Sequence, residues 1–287
     1  MPLTRLWVSL LTRRNENSGT DGRVTLSINA GGEQLLNQPL LPLIDTARAS
    51  LFKFNVEGKR IEPGSLTSSS LRLHISDRQT ISGGGIDGDD AWKPERFFVW
   101  GEEAPPPLVD IGVVPLAIEM SITETLSTDA SEGVRSIPLR LVAKGNRDMR
   151  INRLLVLLAT DVTQNGSSTD NSLEIQIVSN DRLVALCEIK NTAQKDLHAL
   201  SNFYTMPVIL PFTRSSLNNG TITLRIKGGM DDWKPLRFFL FGLDDATGRP
   251  ESIVPLVHLG EWPFGTMSPD TTNGIASVTL PLAVGSF

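Results

Sequence analysis

Apolar and polar residues alternate along much of the chain. Val24, Leu26 and Ile28 are separated by Thr25 and Ser27, Phe52, Phe54 and Val56 by Lys53 and Asn55, and Leu71, Leu73 and Ile75 by Arg72 and His74. The pattern returns in Leu173, Ile175 and Ile177 and again in Ile222, Leu224 and Ile226. A period of two puts such side chains on one face of a sheet, and the polar alternates predict antiparallel sheets with one wet face. Clusters of Gly, Pro, Asn and Asp at 15–22, 62–64, 82–90, 165–171 and 218–220 separate the runs and predict turns. Helical periodicity is weak everywhere; only 191–201 predicts a short helix. The expected class is all-β, with sandwich or barrel architecture.

The chain also repeats itself. Residues 92–101 read WKPERFFVWG and residues 233–242 read WKPLRFFLFG, identical at seven of ten positions. In the same order, Ser18–Asp21 parallels Ser167–Asp170, Val114-Pro115-Leu116 parallels Val254-Pro255-Leu256, and Ile137-Pro138-Leu139 parallels Leu280-Pro281-Leu282. The apolar segment 5–12 is matched by 153–160, so Leu6–Leu11 reads as a fold element and not as a cleaved address. A repeat this long predicts two tandem domains related by internal duplication, 1–146 and 147–287. Each ends in proline-bearing apolar stretches, 108–118 with 133–142 and 253–259 with 274–284. Proline gives a ladder no donor, so these stretches predict edge strands or arms, packed on their own half, on the other half or on a neighbouring subunit.

Composition narrows the function classes. The 287 residues carry a net charge of −5, which argues against nucleic acid as a partner. One cysteine excludes an intrachain disulfide, and three histidines leave little for zinc or iron. No apolar run approaches the length of a transmembrane helix. With a reduced cysteine and no recognisable signal, the expected location is the cytoplasm, or outside it by a signal-independent route such as release within a particle.

The order of motifs resembles the PLAT (LH2) family of β-sandwich domains. Its Gly-Thr-Asp loop before a strand matches Gly19-Thr20-Asp21, followed by Arg23–Ile28. Its later alternating Phe/Val strand matches Phe52–Val56, and its tryptophan opening an apolar strand matches Trp92 and Trp233. In the second copy Ser168 replaces the loop glycine, and a jelly-roll or C2-like sandwich is the alternative fold. The resemblance implies calcium at the sandwich-end loops and docking on membranes or partner proteins. Carried over, the candidate calcium ligands are Asp21 and Asp170, with Asp89, Asp90, Asp231 and Asp232 as second contributors. Aspartates on flexible Gly-rich loops suit an ion that takes six to eight oxygens, although such aspartates also cap their own turns.

Catalytic chemistry finds little support. His74, His198 and His258 lie in unrelated contexts, and no nucleophile elbow is present. The adjacent acids Glu102-Glu103 and Asp244-Asp245 read as solvated strand ends, not as carboxylates across a cleft. Arg96 and Arg237 are expected to pair with loop acids such as Asp90 or Asp232, and Trp92 and Trp233 to be core residues. Two function classes follow. One is a non-enzymatic interaction module binding a partner protein, a lipid surface or a glycan through its loops. The other is a structural subunit of a larger particle, such as a phage tail, capsid or contractile injection device, with apolar arms docking on neighbouring subunits.

Overall fold

The structure is a computed structural model that describes residues 1–13, 20, 22–40, 49–76, 91–103, 112–146, 148–161, 169, 171–190, 201–217, 219–229, 231–245 and 249–282. Its elements are β-strands and two short 3-10 turns, Pro63–Ser65 and Arg214–Leu217. The fold is all-β. The chain divides into two compact units, the first of Met1–Pro105 with Val114–Val142 and the second of Ala143–Phe287 with Pro106–Val113.

Unit 1 holds β1 (Leu3–Thr12), β2 (Arg23–Ala30), β3 (Glu33–Pro39), β4 (Ala49–Asn55), β5 (Leu71–Ser76), β6 (Pro94–Glu103), β7 (Val113–Glu119) and β8 (Ser136–Pro138). They form two antiparallel sheets, in the orders β4-β1-β6-β7 and β3-β2-β5-β8. Leu6, Val8 and Phe97 from the first sheet share one core with Leu26, Leu73 and Ile75 from the second, which makes the unit a sandwich.

Unit 2 holds β9 (Ala143–Lys144), β10 (Arg150–Thr160), β11 (Ser172–Ser179), β12 (Arg182–Ile189), β13 (Ser201–Thr213), β14 (Thr221–Lys227), β15 (Pro235–Asp244), β16 (Ser252–Leu259) and β17 (Ser277–Pro281). Its sheets run β13-β10-β15-β16-β9 and β12-β11-β14-β17. Apart from the two-residue β9, which lies parallel to β16, this is the strand order of unit 1 with each strand replaced by its counterpart. Leu154, Val156 and Phe238 meet Ile175, Leu224 and Ile226 in its core.

The alternating segments became β2, β4, β5, β11 and β14. β1 and β6 do not alternate, because both of their faces are out of water: Leu6, Trp7, Val8, Phe97, Phe98 and Val99 are all fully buried. Trp7 stacks on Trp100 at 6.0 Å, on the face away from the sandwich core. The proline-bearing segments form edge strands β7, β8 and β17 and, in β16, a register shift at Pro255, so in each unit they complete their own sandwich. A proline at these places removes no ladder bond that the sheet needs. The short helix expected over 191–201 has no counterpart at Ser201, which opens β13; 191–200 lie outside the described residues.

Candidate functional site

Each unit fixes one end of its sandwich with the tryptophan of its Trp-Lys-Pro motif. Trp92 Nε1 donates to Thr12 Oγ1 at 3.1 Å, and the Trp92 and Leu126 backbones exchange hydrogen bonds of 2.7 and 2.9 Å. In unit 2, Trp233 Nε1 donates to Thr160 Oγ1 at 3.0 Å, and Trp233 and Met267 exchange two bonds of 2.8 Å. Both indoles are fully buried. A buried Trp needs a partner for its N–H, and the threonine ending the first strand supplies it.

Beyond each tryptophan partner lies the same turn. Asp129 N donates to Ser127 Oγ, and Asp129 Oδ1 accepts from the Ser131 backbone and hydroxyl at 2.7 and 2.8 Å. Asp270 does the same with Ser268 and Thr272. These donors, the backbone N–H first, hold both carboxyls below the usual aspartate range. A depressed folded pKa contributes stability above the unfolded pKa and loses it as pH falls through the folded one. We expect the Asp129 and Asp270 carboxylate resonances to titrate together, below ordinary aspartates, in a carbon-13 NMR titration; Ser131→Ala and Thr272→Ala, each removing one hydroxyl donor, should raise their own partner alone.

Of the candidate metal residues, Asp231 and Asp232 fall at this end, directly before Trp233. Asp21, Asp89, Asp90 and Asp170 lie outside the described residues. Of the others, Asp231 enters through its main chain: its carbonyl accepts from Asn171 Nδ2 at 2.5 Å and from Thr169 Oγ1 at 3.4 Å. Thr169 Oγ1 also accepts from Asn171 N at 3.0 Å. Asn171 is 2% exposed, and its Oδ1 is buried with no hydrogen-bond partner among the described residues. The same holds for Asp232 Oδ1 on the adjoining loop. Gly228, at φ +120, leaves room for that amide oxygen, since a Cβ there would stand 3.0 Å from it. In unit 1 Gly22 N donates to Thr20 Oγ1 at 2.9 Å in the matching place, but glycine brings no side-chain oxygen. Among the described residues no three His, Cys, Asp or Glu side chains gather as a metal cluster.

Next to these loops unit 2 carries an apolar tip that the sequence patterns did not single out. Trp262 N donates to Leu236 O at 3.0 Å, and Trp262 Nε1 closes its own turn on Gly265 O at 2.7 Å. The Trp262 ring meets Phe264 edge-on at 5.1 Å and Trp233 at 6.4 Å. Leu236 is 38% and Phe264 36% exposed. In unit 1 the same backbone bond joins Ile122 N to Glu95 O at 3.0 Å, so Glu95 stands where unit 2 has Leu236. The repeat therefore contains its own signal: the fold tolerates charge at that position.

The expected pairing of Arg96 with Asp90 involves a residue outside the described ones. Arg96 Nε lies 3.4 Å from Glu95 Oε1 on its own strand. Asp232 forms no ion pair with Arg237 among the described residues; burial lowers the Arg237 pKa and Glu261 opposes that shift. The paired acids at the strand ends are tied down: Glu102 accepts from Trp7 Nε1 at 2.6 Å and pairs with Arg5 at 3.0 Å, and Asp245 pairs with Arg153 at 2.6 Å. His74 lies on β5 of unit 1, and His258 packs against Phe239 in unit 2. His198 lies outside the described residues. The Cys187 thiol is pushed up by burial, which suits a core residue. No helix among the described residues is long and apolar enough to cross a membrane.

Comparison with known proteins adds a distant likeness. No protein-family model matches the chain, and no curated protein matches it. Among solved structures, Alpha Toxin from Clostridium Absonum is similar over 48% of this chain and 32% of that one, at 14% identity and a TM-score of 0.35. The matched part is thus less than two thirds of either chain.

Proposed function

We propose that the chain is a non-catalytic binding module of two PLAT-like sandwiches, descended from one duplicated unit, and that it docks the loop end of unit 2 on a lipid surface with help from calcium. The observation that carries this reading is the exposed pair Leu236 and Phe264 around the half-buried Trp262 of unit 2, beside loops whose Asn171 and Asp232 side chains each keep a buried oxygen with no hydrogen-bond partner among the described residues. A pinned aromatic tip offers apolar area at little entropic cost, and Trp is suited to the boundary between headgroup and acyl chain. Calcium accepts amide and carboxylate oxygens together with water, so Asn171 and Asp232 fit as protein ligands, and lipid phosphate oxygens would complete the set. Unit 1 has Gly22 and Glu95 at the matching places and is assigned no such role.

The test is co-sedimentation with vesicles of phosphatidylcholine and phosphatidylserine. Binding is expected in calcium and lost in a chelator. The Leu236→Ser/Phe264→Ser protein, altered only at exposed side chains, should bind at least about tenfold more weakly with a melting temperature near that of wild type. Asn171→Ala should lose the calcium dependence. A protein that ignores these vesicles with and without calcium, or a double variant that binds as well as wild type, would overturn the reading.

A further inference from the structure

Asparagine followed by glycine carries a reaction that needs no enzyme. Glycine has no Cβ, so its main-chain nitrogen can approach the asparagine Cγ closely. Among the described residues the pairs are Asn219-Gly220 and Asn273-Gly274, each with an exposed asparagine; Asn165-Gly166 lies outside them. The structure separates the two. Gly220 is buried and held on both sides, its N–H donating to Leu217 O at 2.8 Å and its carbonyl accepting from Leu282 N at 2.9 Å. Gly274 is half-buried, and its N–H reaches Asp270 O at 3.3 Å, a carbonyl that already accepts from Asn273 N at 3.0 Å. The longer bond to a shared carbonyl is the weaker one. Position 274 nevertheless has to be glycine, since a Cβ there would stand 2.5 Å from Thr266 O. The fold therefore keeps a reactive neighbour, loosely held, beside an exposed asparagine.

We propose that Asn273 is a self-modification site, where the side-chain amide converts to a carboxylate through a cyclic imide. The Gly274 nitrogen gives its proton to water or hydroxide and bonds to Asn273 Cγ; the Cγ–Nδ2 bond breaks and ammonia leaves. Water then opens the imide. Attack at Cγ leaves aspartate, and attack at the main-chain carbonyl carbon leaves isoaspartate, with the chain running through Cβ and Cγ. Nothing is oxidised or reduced, and one water is consumed for each ammonia released. The two products act differently on the turn. Unit 1 carries an exposed carboxylate at the matching place, Glu132 before Gly133, and both of their N–H groups reach Asp129 O at 3.2 Å. The turn thus accommodates the charge of an aspartate. Isoaspartate adds one carbon to the main chain close to Ile275, whose N–H donates to Thr266 O at 3.1 Å, and so it loosens the turn that Asp270 holds. The inference does not depend on lipid or calcium binding, because neither enters the reaction.

Peptide mapping by mass spectrometry, after incubation of the full chain in mildly alkaline buffer, tests it. The peptide containing Asn273 is expected to gain one mass unit and to split into aspartate and isoaspartate species. Asn273 should lose its amide at least about tenfold faster than Asn219, because freeing Gly220 N from Leu217 adds to the barrier there. In urea the two pairs should react alike, which assigns the difference to the fold. Asn273→Gln, close in shape to the Glu132 of unit 1, should keep the wild-type melting temperature and lose the acidic species from that peptide. A folded chain that retains the Asn273 amide while the urea-denatured chain loses it would overturn the inference, as would an Asn219 that reacts as fast as Asn273 in the folded chain.

Discussion

Trp233→Ala is expected to destabilise unit 2 by about 3–5 kcal/mol, the range for emptying a large aromatic site in a packed core. Three losses combine. The indole is fully buried in the core of its sandwich and touches the Trp262 ring. Its N–H satisfies Thr160 Oγ1, and removal leaves that buried hydroxyl facing a cavity. Its backbone joins Met267, so a shifted main chain would loosen the turn that holds Asp270. Trp233→Phe separates the terms, since it keeps most of the packing and drops the hydrogen bond; about 1–2 kcal/mol is expected. Trp92→Ala should cost unit 1 a similar amount, because Trp92 has the same partners there. Chemical denaturation followed by circular dichroism measures both. A loss below about 1 kcal/mol for either alanine variant would show that the indole is not the keystone of its end.

Arg153→Met is expected to cost about 3 kcal/mol, less than a fully buried pair because Arg153 is 40% exposed and water partly replaces it. The Asp245 side chain is 0% exposed, and its carboxylate lies 2.6 Å from Arg153 Nη1. Without the guanidinium the buried charge would have no counter-charge among the described residues, and that penalty is the origin of the effect. Asn152 Oδ1 accepts from Asp245 N at 3.0 Å and keeps the backbone in place, so the variant should stay folded. The double variant Arg153→Met/Asp245→Leu, which removes both charges, should recover most of the loss. Denaturation midpoints with an unchanged slope are the readout. If the double variant is as unstable as the single, the damage lies in packing and not in the unpaired carboxylate.

The unequal legibility of the strands has a physical cause. β2, β5, β11 and β14 could be read because each has one dry face and one wet face, so burial writes a period of two into the residues. β12 escaped notice because its register shifts near Val184 and Leu183 and Leu186 point outward; its apolar run says nothing about which face is which. Asp231 and Asp232 were legible as loop acids. Their division of labour was not, since it depends on Asn171 reaching the Asp231 carbonyl from another loop.

The sequence by itself determined the all-β class, the repeated tryptophan motif and the turns at 62–64 and 219–220, because these follow from local alternation, proline and glycine chemistry, and a repeated string of residues. Only the tertiary structure decided that the proline-bearing segments close their own sandwiches, which strand-end acids are tied to arginines, and which buried oxygens have no partner among the described residues. Those properties depend on what stands across from a residue once distant strands pair, and no local pattern carries that information.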